Sequence, residues 1–153
     1  MITLDFEIDE RVFVEDGQCD PATAEPAALE ETYFVMPFRF SVKGVELLGI
    51  RGRQPATLAL PLLGFATDVN RAVSAARSRE TTKCYLAGGG ELTFERTASV
   101  MRVSSSLTGN TVTAEADDLV KATRLLLERV RELLLKRFPG MQAHPAWGTW
   151  FST

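Results

Sequence analysis

Apolar and polar residues follow a clear period along most of this chain, and the longest such stretch is residues 116–138, ADDLVKATRLLLERVRELLLKRF. At about 100° per residue, Leu119, Val120, Ala122, Leu126, Leu127, Val130, Leu133, Leu134 and Phe138 share one arc of roughly 160°. Lys121, Arg124, Glu128, Arg131, Glu132 and Lys136 fall opposite. The pattern predicts an amphipathic helix of about 23 residues, roughly 35 Å long, lying on a core. Asp117 and Asp118 in the first turn and Lys136 and Arg137 in the last suit the helix dipole, and Phe138-Pro139-Gly140 stops the element. Leu125 and Leu135 point away from the apolar arc and Arg137 into it. Surface leucines with an arginine snorkelling at a helix end explain this, and so does a second contact with a partner or another copy of the chain.

Elsewhere the period is two. Ile2, Leu4, Phe6 and Ile8 alternate with Thr3, Asp5, Glu7 and Asp9, and Val12 and Val14 keep the phase, which predicts an N-terminal strand with one wet face. Asp16-Gly17 opens an acidic loop, residues 15–31, in which only Pro26–Glu31 has the makings of a short helical turn. Tyr33–Val42 alternates again, turns at Lys43-Gly44 and returns over Val45–Ile50, with Pro37 marking an edge or a bulge. Leu62, Phe65, Ala66, Val69, Val73 and Ala76 then predict a helix starting near Pro61, with Asp68, Arg71, Arg77 and Arg79 on its polar side. Thr82–Leu86 and Glu91–Arg96 flank a Gly88-Gly89-Gly90 turn, and Ser99–Val103 and Leu107–Ala114 make a second pair turned at Gly109-Asn110. The predicted fold is a single α+β domain over residues 1–153. It has one antiparallel sheet of about six to seven strands with two helices packed on one face, in the order β-ββ-α-ββββ-α. The aromatic tail, residues 139–153, with His144, Trp147, Trp150 and Phe151, is expected to dock on the sheet or under a helix.

Composition adds two constraints. At 153 residues, 45% hydrophobic and 24% charged, the chain suits one globular domain. The longest uncharged run contains Pro55 and Pro61 and is too short to span a bilayer, so a soluble cytoplasmic protein is expected. Cys19 and Cys84 lack metal or redox spacing and read as free thiols, a disulfide between them being the alternative. The net charge of −3 conceals an asymmetry: residues 1–31 hold ten acids and only Arg11 as a base, and the remainder is basic. Either the two parts neutralise one another in the fold, or an acidic surface is kept for a basic partner.

Candidate chemistry is sparse. The triple glycine joins two strands and lacks the following helix that a phosphate loop needs. His144 is the only histidine, which excludes paired-histidine metal motifs. Ser104-Ser105-Ser106 lacks a nucleophile-elbow context, and Glu115, Asp117 and Asp118 are explained by a helix start. The basic residues do not alternate with aromatics, which argues against nucleic-acid binding. No catalytic residue, cofactor or metal site is expected, and no membrane contact.

Three phrases within residues 33–138 carry a family resemblance: Val42-Lys43-Gly44-Val45-Glu46-Leu47-Leu48, Leu60-Pro61-Leu62-Leu63-Gly64-Phe65 and Gly90-Glu91-Leu92-Thr93-Phe94. With its size and element order, the chain resembles the small, divergent bacterial proteins that serve as immunity proteins to toxins or stand as α+β domains of unknown function. The resemblance implies a non-catalytic protein that neutralises a cognate toxin by covering its active-site cleft or an adjacent surface. An acidic face would suit a basic toxin domain, and the expected partner-binding residues are Glu15, Asp16, Asp20, Glu25, Glu30 and Glu31. Two other readings stand beside it. Phe34, Met36, Phe38 and Phe40 could line an apolar ligand cavity between the sheet and the C-terminal helix, or Leu125, Leu135 and the tail aromatics could build a homo-oligomer.

Overall fold

A computed structural model describes residues 1–18, 20–49, 57–76 and 81–152. Its strands are β1 (Ile2–Phe6), β2 (Val35–Val42), β3 (Val45–Glu46), β4 (Leu58–Pro61), β5 (Thr81–Tyr85), β6 (Glu91–Thr97), β7 (Val100–Ser105) and β8 (Thr111–Glu115). The helices are α1 (Glu10–Asp16), α2 (Pro26–Glu31), α3 (Leu62–Ala75), α4 (Ala116–Arg137) and α5 (Trp147–Phe151), with a 3-10 turn at Pro139–Ala143. The α+β class and the antiparallel pairing are as the pattern predicts. The single sheet is not: the strands form two four-stranded sheets, one of β1 to β4 and the other in the order β5-β6-β7-β8.

The first sheet is built on β2. Phe38 faces Phe6 of β1 and Leu58 of β4, and Val42 faces Ile2 of β1 and Val45 of β3, so β3 and β4 lie end to end on the side opposite β1. Pro37 is therefore inside the central strand rather than at an edge. It is tolerated because it lies opposite the end of β1, where its carbonyl accepts from the Glu7 N–H. The Lys43-Gly44 turn forms as expected, both residues having positive φ (52° and 80°).

The two sheets close in the same way. In each, the last strand runs without a loop into a helix, β4 into α3 at Pro61-Leu62 and β8 into α4 at Glu115-Ala116. Leu62 N–H donates to Phe34 O at 3.0 Å, and Ala116 N–H to Ser99 O at 2.8 Å, in both cases to a residue just before the central strand. Setting β3 and β5 aside, each sheet thus contains a unit of three antiparallel strands followed by a helix, β1-β2-β4-α3 and β6-β7-β8-α4. Between β6 and β7 the second unit has only the turn at Ala98 and Ser99; between β1 and β2 the first inserts the stretch that carries α1 and α2. Helices α3 and α4 pack together, α3 on β4 and β5 and α4 on β1, β7 and β8, so both sheets share them. Ser105 Oγ donates to Leu47 O at 2.6 Å and Asn110 Nδ2 to Glu46 O at 2.9 Å, which ties the second sheet to the chain leaving β3.

The N-terminal alternation ends early. Asp9 accepts from Arg11 N–H and caps α1, so Val12 and Val14 are helical and Val14 is 67% exposed rather than in a strand. Phe13 instead faces the core, 5.4 Å from the Phe34 ring and 6.1 Å from Phe138. The expected acidic loop is shortened at its start, where Glu15 and Asp16 belong to α1, and the short helical turn expected at Pro26–Glu31 forms as α2. The tail docks: Trp147 and Trp150 are buried and α5 packs on α3 and α4. Arg137 lies over the Phe13 ring and pairs with Glu10, and Leu135 packs against the core, leaving Leu125, 56% exposed, as the outlying leucine of α4. No helix of the described residues is long and apolar enough to cross a membrane. Cys19, Arg77, Arg79 and the Arg51–Pro55 stretch lie outside the described residues.

Candidate functional site

Between α2, α3 and the end of β5 lies a groove of about 460 Å³, lined by Glu30, Glu31, Leu60, Pro61, Gly64, Phe65, Asp68, Tyr85, Leu86 and Ala87. Its shape follows from one close approach. Gly64, in the first turn of α3, sits so near the C-terminal end of α2 that a Cβ there would lie 1.9 Å from Glu30 O. That contact sets Glu30 and Glu31 on one wall and Asp68, a turn further along α3, on the other. Trp150 of the docked tail donates its indole N–H to Glu30 Oε1 at 2.7 Å and fixes that carboxylate. Partial desolvation at the groove, with Glu30 and Glu31 adding repulsion, raises the Asp68 carboxyl above its ordinary value against the opposing pull of Arg71 at 3.8 Å, the side chain remaining 54% exposed. No base lines the groove among the described residues. Tyr85, 71% exposed, closes it on the sheet side.

The six acids expected to form one face are divided. Glu30 and Glu31 line the groove; Glu15, Asp16, Asp20 and Glu25 do not. Asp16 has a structural duty, accepting the Phe34 N–H at 2.7 Å. Phe34 has φ 58°, unusual for a bulky side chain, and this bond with complete burial of the ring holds it there. Asp20 caps the turn at Ala22 N–H, at 3.0 Å. Glu15 is exposed on α1, and Glu25 is exposed at the start of α2 without a capping bond. Neutralisation within the fold is realised in part. Asp5 and Glu10 are neutralised by Arg129 and Arg137 of α4, while Glu15, Glu25 and Glu31 face solvent.

Asp68 and Tyr85 complete the groove and were not singled out as site residues by sequence. Asp68 is legible only as a polar-side residue of a helix and Tyr85 as the outward residue of a strand. His144 serves the fold: its Nε2 donates to Ala24 O at 2.7 Å, its Nδ1 accepts from Ala146 N–H at 3.0 Å, and its ring lies 4.8 Å from Trp150. Burial pushes the Cys84 thiol up to about 12, with a contribution from Asp68. Gly88, Gly89 and Gly90 all have positive φ, as a turn requires. Among the described residues, no group of three histidine, cysteine or acidic side chains is placed to hold a metal ion. Phe34, Met36, Phe38 and Phe40 are fully buried, with Phe38 ring-on-ring against Phe65 (4.8 Å) and Phe6 (5.5 Å), as core residues pack.

No family model, curated protein or solved structure matches the chain.

Proposed function

We propose that this chain is a non-catalytic binding protein that neutralises a basic protein partner by covering part of its surface, as an immunity protein does its toxin. The observation that carries this reading is the groove between α2, α3 and β5, where Glu30, Glu31 and Asp68 converge; among the described residues no base is in its lining, Arg71 lying beside Asp68 at 3.8 Å. Carboxylates held together at a partly desolvated site repel one another and gain when a lysine or arginine enters. The location supports the same reading. Glu30 and Glu31 lie on the insertion between β1 and β2, which has no counterpart between β6 and β7. Such an addition can vary to suit a partner while the scaffold stays the same.

The test is affinity capture from a native cell extract at low and at high salt, with the wild-type chain and with a Glu25→Lys/Glu31→Lys/Asp68→Lys variant. All three positions lie outside the apolar core, so the variant is expected to fold. A basic protein retained by the wild type at low salt, released at high salt and not retained by the variant supports the reading. A protein retained equally by both chains at both salt concentrations refutes it.

A further inference from the structure

The second sheet has two edge strands, β5 and β8, and β8 lies against β2 of the first sheet. Strand β5 pairs with β6 and, among the described residues, with no other strand. The hydrogen-bond phase identifies which of its groups are free. Leu86 N–H donates to Gly90 O at 3.0 Å, so Leu86 belongs to a hydrogen-bonded pair. Because such pairs alternate, Cys84 and Thr82 also direct their backbone groups at β6, while Tyr85, Lys83 and Thr81 direct theirs away from the sheet. Glu91, opposite Tyr85, agrees with this phase: its N–H goes to Ser106 Oγ and its carbonyl accepts from Ser106 N–H, both on the β7 side.

The space beside that edge is open too. A groove of about 420 Å³ runs between Asp68, Arg71, Ala72 and Ala75 of α3 and the Thr82–Tyr85 segment of β5, and it meets the acidic groove at Asp68 and Tyr85. Exposed edges are ordinarily blunted by lysine, proline, a bulge or a covering element. On β1 that cover is α4, which packs on the strand and holds Asp5 through Arg129. On β5 the lysine is drawn aside, since Lys83 Nζ pairs with Glu91 of the neighbouring strand at 3.3 Å.

We infer that β5 receives an extended basic segment of the protein partner as an added strand. This rests on the reading of the protein as a binder of a basic protein. About five residues, spanning roughly 17 Å, match the length of the edge. Main-chain bonds to Thr81, Lys83 and Tyr85 supply affinity. Charge selects the segment: a lysine or arginine at the Tyr85 end reaches Asp68, Glu30 and Glu31, and Tyr85 packs on its neighbour across the strands. A carboxylate is opposed at that end, while Arg71 and Lys83 line the groove further along the strand.

The probe is an end-capped eight-residue peptide alternating valine and lysine, compared with one alternating valine and glutamate, titrated into the full-length 15N-labelled chain. Saturation with the lysine peptide is expected to slow amide exchange at Thr81, Lys83 and Tyr85 at least tenfold and to leave Cys84 unchanged, while the glutamate peptide does neither. Lys83→Pro removes an outward N–H that the sheet does not use and is expected to abolish binding. Should that variant fail to fold, the exchange pattern of the wild type decides. Binding of the lysine peptide without protection of the three amides overturns strand addition, as does its failure to bind. In affinity capture, a partner kept by Lys83→Pro and lost by the charge-reversed variant overturns strand addition alone. A partner lost by both supports it, and one kept by both overturns it together with the functional reading.

Discussion

Replacing Gly64 by alanine sets two effects against each other in one methyl group. In an exposed helix interior the change favours folding by about 1 kcal/mol, because glycine is the poorer helix former. Here the new Cβ would lie 1.9 Å from Glu30 O and 2.9 Å from Glu30 C, both backbone atoms that no rotamer can move aside. Reaching even 3.0 Å requires α2 and α3 to part by about 1.1 Å. Overpacking of this kind costs about 1–3 kcal/mol, and a backbone clash belongs at the upper end, so the net effect is a loss of about 1–2 kcal/mol. For a chain of this size, that lowers Tm by roughly 2–8 °C. Thermal unfolding followed by circular dichroism measures it, and Trp150 fluorescence in a Trp147→Phe background reports whether the indole leaves Glu30, 2.7 Å away in the wild type. A variant as stable as the wild type or more so refutes the argument that the close approach at Gly64 fixes the acidic groove.

Asp16→Ala removes the acceptor of the Phe34 N–H and leaves a positive-φ residue unsupported; a loss of about 1–3 kcal/mol is expected in urea unfolding. Asp68→Asn relieves a carboxyl raised by burial. Its proton binds more tightly in the folded chain, so the native protein loses stability as pH rises through the raised value. The variant should therefore be the more stable at neutral pH, with the difference vanishing in acid, as paired melting curves at pH 7 and pH 3 would register. In a Cys19→Ser background, Cys84 should resist iodoacetamide in the native protein and react on unfolding, since a shift from 9.0 to about 12 lowers its thiolate fraction roughly a thousandfold. Leu125→Lys should change neither Tm by more than about 1 °C nor the mass in light scattering. An antiparallel pair of α4 helices centred on Leu125 would set Lys121 against Arg129 and Asp118 against Glu132, which opposes self-association there.

Helix α4 was legible to within a residue because its apolar arc is long and its ends are marked by Asp117, Asp118, Pro139 and Gly140. The strands β5 to β8 were legible because each joins its neighbour through a short turn, so local pattern and long-range pairing coincide. Two kinds of feature escaped. Val12 and Val14 keep a strand phase, and what overrides it is Asp9 at the N-cap together with the pocket that Phe34 and Phe138 offer to Phe13, a contact between residues far apart in sequence. The division into two sheets turns on β4, four residues before α3 in which the pattern predicts no strand and which pair with β2 across twenty or more positions of chain. The candidate site has the same origin. Glu30 and Glu31 stand out in an acidic stretch, but only the tertiary fold brings Asp68 and Tyr85 to them, and nothing local distinguishes Asp16, which serves the backbone, from Glu31, which faces solvent.

The central claim is that the carboxylates between α2, α3 and β5 draw in a basic protein. Its most direct test is the association rate of the captured partner, measured by stopped-flow fluorescence between about 20 and 500 mM salt for the wild type and for the Glu25→Lys/Glu31→Lys/Asp68→Lys variant. The account predicts a wild-type rate that falls at least tenfold over this range and a variant that is slower at low salt with little dependence on salt. Equal rates for the two chains, or a wild-type rate independent of salt, would contradict it.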